Sequence, residues 1–110
     1  MALRIYDVTI EMVRAVSGFA RRVQREDPDL ARQMRRASAS VPLNLSEGLY
    51  SRGRNREARL HNSMGSAKDT LACLDVAAAA GYLPDAMVAP ERQRLDRIVG
   101  TLYKLIHRPR

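Results

Sequence analysis

Arg52, Arg54, Arg56 and Arg59 fall within the segment YSRGRNREAR, beside Tyr50, and form the densest group of cations in the chain. A guanidinium presents a planar fork of N–H donors that matches the oxygens of a phosphate bidentately. Where a loop enters a helix, such side chains add to the field of the free backbone N–H groups at the helix N-terminus. The chemistry open to this segment is recognition of phosphate, which makes it the leading candidate for binding RNA or DNA. Its competing reading is a solvated loop, partly compensated by Glu57.

A second group is Arg35, Ser40, Asn44 and Glu47. On a helix, Ser40, Asn44 and Glu47 recur at i, i+4 and i+7 and make a polar stripe beside an apolar one. This stripe is read as a structural network that fixes helix register or a subunit interface, since buried polar groups specify a packing only when every member is satisfied. Glu47 is expected to pair with Arg35 or Arg36 rather than to act as a base. His61 and His107 share no ligand spacing with Cys73 or with a pair of acids, so no metal is expected. Cys73 sits between Leu71 and Leu74 and reads as a small buried hydrophobe. With no glycine-rich phosphate loop, nucleophile elbow or paired carboxylates, the chain is expected not to be an enzyme and to need no cofactor.

These residues must be positioned by helices. Val8, Met12, Val16, Phe19 and Val23 step by four or three, the stripe of an amphipathic helix from about Ile5 to Arg25. EDPD ends it, and Asp27 with Pro28 and Asp29 reads as the N-cap and first turn of a second helix. Within that helix ASASVPLNLS alternates with period two, the mark of a strand. The helical rhythm of Leu30, Met34, Ala37, Val41 and Leu45 runs through the same residues, no other segment offers a strand to pair with, and Pro42 would fit only a sheet edge. The expectation is a helix with a proline kink at Pro42, closed by a left-handed Gly48.

A loop with Gly53 and Asn55 follows, Asn55 capping a third helix whose stripe is Leu60, Met64, Ala67, Leu71, Leu74 and Ala78. Gly65 inside it costs about 1 kcal/mol relative to alanine, which a close backbone contact would explain. Gly81 and Tyr82 suit a Schellman ending. The last helix, with Val88, Leu95, Ile98, Leu102 and Leu105, begins at either Pro84 or Pro90. The fold predicted is all-α: an antiparallel up-down-up-down four-helix bundle, residues 1–110 forming a single domain.

Composition agrees with this. Only Lys68 and Lys104 among the 19 basic residues are lysines, and the formal net charge is +7. An arginine-rich basic chain points to an anionic partner, although a charged helix surface also needs cations. The lone cysteine leaves no disulfide framework. No apolar run is long enough for a membrane span, and no signal peptide is evident at the start, so a soluble cytoplasmic protein is expected.

RRASASVPLNLSEG, the arginine-rich loop, NREARLHNSMGSAKDTLACL and AAGYL occur in that order. They resemble the bacterial four-helix-bundle proteins first noticed as reading frames within intervening sequences of 23S ribosomal RNA genes. The resemblance is close over about residues 30–83, with Pro84 and Pro90 as departures. It implies a homo-oligomer, a pentamer in form, and a distant kinship to the accessory protein of diversity-generating retroelements, a basic bundle that binds nucleic acid and a reverse transcriptase. The expected function is therefore a non-enzymatic homo-oligomer that binds structured RNA or DNA through its arginines. The alternative is a structural or protein-interaction module with no nucleic-acid role.

Overall fold

The computed structural model describes residues 2–108. It contains four helices: α1 (Ala2–Val23), α2 (Pro28–Leu49), α3 (Gly53–Ala79) and α4 (Asp85–His107). Each packs on its neighbours in the order α1, α2, α3, α4 and back to α1, closest between α2 and α3 and loosest between α1 and α4. Short connections make successive helices antiparallel, as the sequence predicts for an all-α bundle. One core runs along the axis, with Met12, Val16, Met34, Leu45, Leu60, Leu74, Leu95, Ile98 and Leu102 fully buried. Among the described residues no helix is long and apolar enough to cross a membrane.

The chain ends and starts its helices with local chemistry. Asp27 caps α2, accepting from the Leu30 N–H at 3.0 Å, with Pro28 in the first turn. At the end of α3, Gly81 takes φ +81°, and the N–H groups of Gly81 and Tyr82 return to the carbonyls of Ala78 and Ala77. That is the double bond pattern of a Schellman ending. Pro84, with extended backbone, is the N-cap of α4, so the helix starts there and Pro90 lies inside it.

Several local expectations are corrected. α1 begins at Ala2 and ends at Val23, earlier at both ends than its apolar spacing indicates. Gly48 is not a left-handed cap: it is buried inside α2, and a Cβ there would lie 2.8 Å from Leu60 Cδ2. Close approach of α3, rather than backbone conformation, requires the glycine. The left-handed turn comes instead at Gly53, φ +58°, which bends the chain straight into α3. Helix start therefore falls ahead of Asn55, which does not cap it and donates to Ser51 Oγ at 3.0 Å. Gly65 has no close contact, since a Cβ there would meet nothing within 4 Å.

α2 passes through Pro42, which is itself buried, and continues to Leu49. Proline supplies no N–H to the carbonyl of Ser38 one turn earlier. One residue before it, the Val41 carbonyl accepts a buried bond from Ser63 Oγ of α3 at 2.7 Å. This bond ties the two most closely packed helices together beside the proline.

Candidate nucleic-acid interface

Antiparallel alternation brings four helix termini to one end of the bundle: the start of α1, the end of α2, the start of α3 and the end of α4. Arg52 is the N-cap residue of α3, with extended backbone and no side-chain capping bond. Arg52 and Arg54 are exposed and form no ion pair among the described residues. Arg56 is half-buried and reaches across to α4, where Nη1 donates to the Leu105 carbonyl at 3.5 Å. That carbonyl lies in the last helical turn, where acceptors lack intrahelical donors and the helix dipole favours a cation. Arg59 turns away, its Nε 3.9 Å from Glu47 Oε2 on α2. The sequence cluster is thus divided: Arg52 and Arg54 face solvent, Arg56 locks α3 to α4, and Arg59 pairs across the α2–α3 seam.

The Arg56 contact shows what the arginines face. Lys104 and His107 occupy the last turn of α4 and Arg108 follows it, all exposed. Arg4, in the first turns of α1, adds a further cation at this end. Two tyrosines stand among them. Tyr50, just past α2, is 90 % exposed, and Tyr103 is 56 % exposed with its ring 4.1 Å from that of His107. Exposed aromatic faces set among cations make a surface suited to phosphates and to flat, polarisable rings.

Sequence reasoning missed the contribution of α4, because Tyr103, Lys104, His107 and Arg108 lie some fifty residues from the arginine segment. Their four-residue spacing, Tyr103 to His107, does put both on one helical face. That spacing acquires meaning only once the up-down topology places the end of α4 beside the start of α3.

The polar stripe of α2 takes a different arrangement. Asn44 Nδ2 donates to the Ser40 carbonyl at 3.0 Å and to Ser40 Oγ at 2.8 Å, and Ser66 Oγ of α3 donates to Ser40 Oγ at 2.8 Å. Glu47 pairs with Arg59, not with Arg35 or Arg36. Arg35 lies outside this group, its Nη1 donating to Gln24 Oε1 at 2.9 Å near the α1–α2 turn. Ser40, Asn44 and Ser66 form the polar floor of an open groove of about 880 Å³ between α2 and α3. Its walls carry Arg32, Arg36 and Arg59 against Asp29, Glu47 and Asp69, so the groove has no net charge. Leu43, 66 % exposed, stands in it.

Glu91 was not anticipated. It completes the buried stripe of α4 between Val88 and Leu95 and is 6 % exposed. Oε2 lies 3.2 Å from Arg94 Nη1, while Oε1 is buried with no hydrogen-bond partner among the described residues. Burial pushes its carboxyl above the usual carboxylate range, Arg94 draws it back, and Glu11 of α1 adds to the rise. Cys73 is buried, and burial with the nearby Asp69 raises its thiol. Among the described residues no group of His, Cys, Asp or Glu is placed to hold a metal ion.

Comparison with known proteins adds the following. A family model described as 23S rRNA-intervening sequence protein matches residues 1–104. A solved structure from Bacteroides thetaiotaomicron, described as a protein with unknown function from the S23 ribosomal protein family, superposes with a TM-score of 0.88. It is 15 % identical, and the match covers 94 % of this chain and 98 % of the other, a likeness of fold. No curated protein matches.

Proposed function

The chain belongs to the 23S rRNA-intervening sequence protein family, and from that premise we propose that it is a non-enzymatic bundle that binds structured RNA or DNA through the basic end of its four helices. The observation that carries this reading is the gathering of Arg52, Arg54, Lys104 and Arg108 from two separate segments, with Arg52 and Arg54 free of carboxylate partners among the described residues. Unpaired, solvated guanidinium groups bind phosphate at little cost, because no internal ion pair has to be broken. The protein acts in the cytoplasm as a homo-oligomer, a pentamer by family resemblance, and a ring repeats the basic end in each subunit so that weak contacts add. A reverse transcriptase or another nucleoprotein enzyme is the kind of protein partner this reading expects.

The α2–α3 groove favours a second activity for a different surface. Its balanced charges and exposed Leu43 suit protein contact rather than phosphate, and the assembly interface is assigned there. The discriminating experiment is the double substitution Arg52→Gln, Arg54→Gln, which leaves both Arg56 and Arg59 in their structural contacts. Lost affinity for RNA and DNA with unchanged helicity and assembly supports the reading. Unchanged affinity removes the site assignment and moves nucleic-acid binding to another surface, whereas a wild-type protein that binds neither RNA nor DNA leaves the module that only contacts protein.

A further inference from the structure

The basic end carries exposed aromatic rings as well as cations. Tyr50 and Tyr103 are the most exposed aromatic rings in the chain, and Tyr103 already lies against His107 with centroids 4.1 Å apart. Both occupy the end that carries Arg52 and Arg54, within a bundle whose Cα cross-section is 22 by 19 Å. A duplex hides its base faces in the stack and offers a protein its groove edges and phosphates, and reading a major groove needs a helix or ribbon that projects into it. This end of the molecule is a meeting of helix termini, with two exposed tyrosine rings among its cations. Unpaired bases, by contrast, expose the flat faces on which aromatic side chains stack, while their phosphates remain within reach of neighbouring guanidinium groups.

We propose that the basic end binds unpaired nucleotides, bases stacking on Tyr50 and on the Tyr103–His107 pair while Arg52 and Arg54 hold the flanking phosphates. This deepens the nucleic-acid reading above and rests on it. The ligand class is a single-stranded or looped segment, and base identity is read weakly, because every base has a face to stack. Arginine contacts set the salt dependence and tyrosine contacts set the preference for unpaired over paired strands.

The test is fluorescence anisotropy across a salt series, with a single-stranded RNA oligonucleotide, the DNA of the same sequence, and the corresponding duplexes, all probes compared at matched salt. Wild-type, Tyr50→Ala, Tyr103→Ala and the two Tyr→Phe variants are compared. Each alanine variant is expected to lose about five- to a hundredfold in affinity for the single strand, with the slope of affinity against salt unchanged. The phenylalanine variants retain binding. The ratio of RNA to DNA affinity identifies which single strand is preferred. Duplex binding as tight as single-strand binding, or alanine variants that bind like wild type, overturns this inference while leaving phosphate binding in place. No binding to any of the probes overturns both.

Discussion

Adding one methyl group at Gly48 and, separately, at Gly65 has opposite expected consequences, although both glycines lie inside helices. In an exposed helix interior, alanine is favoured over glycine by about 1 kcal/mol, because glycine has more backbone freedom to lose. Gly65 is exposed and a Cβ there meets nothing within 4 Å, so Gly65→Ala gains the full preference. At Gly48 the same gain is opposed by packing. The new Cβ would lie 2.8 Å from Leu60 Cδ2, 3.0 Å from Leu60 Cγ and 3.4 Å from Arg59 Cβ. Leu60 is fully buried and cannot swing into solvent, so the helices must move apart or the leucine must leave its rotamer. Overpacking of this kind costs about 1–3 kcal/mol, which leaves Gly48→Ala destabilised by about 0–2 kcal/mol after the helix preference is counted. Thermal unfolding followed by circular dichroism, at one protein concentration for all variants, reads both. Gly65→Ala should move the thermal midpoint up by about 4 °C and Gly48→Ala should not raise it. Equal stabilisation by the two substitutions would refute the close approach of α2 and α3.

Other substitutions test other contacts. Asp27→Ala removes the side-chain acceptor of the Leu30 N–H and should cost about 1 kcal/mol in urea unfolding, whereas Asp27→Asn should cost little. Glu91 has a carboxyl pKa raised by folding, so between its unfolded and folded values the native state binds more protons than the unfolded state, and stability falls as pH rises through that window. Glu91→Gln, which has no such proton to lose, should gain stability relative to wild type as pH rises from acid to neutral. Thermal midpoints of the two proteins across that range check the sign, and a difference that does not vary with pH would show that folding leaves the Glu91 carboxyl pKa unshifted.

The helices were legible because their signals are local. Asp27 with Pro28, Gly81 with Tyr82 and the repeating Met12, Val16 and Val23 each act within a turn or two of chain, so sequence spacing carries them. The alternation around Pro42 gave way to helix because tertiary packing in a bundle needs the longer rhythm that surrounds it. What sequence could not supply was the partner across the bundle. Gly48 looks like a terminus until Leu60 is placed against it, and Gly65 looks like a contact until its side of α3 is found open. The arginine segment was recognisable from charge alone, but its division among solvent, the Leu105 carbonyl and Glu47 depends on which helix lies beside each residue. Glu91 escaped notice for the same reason, since an acid in a helix reads as exposed until its neighbours bury it.

The most direct measurement of the central claim is the salt dependence of RNA binding by the purified protein, freed of co-purifying nucleic acid, for wild type and for the Arg52→Gln, Arg54→Gln double variant. Release of counterions from several phosphates predicts that log affinity falls linearly with log salt, and that the double variant lowers the slope by about 1.5. Absence of binding at low salt, or a slope that the double variant leaves unchanged, would contradict the assignment of phosphate recognition to this end of the bundle.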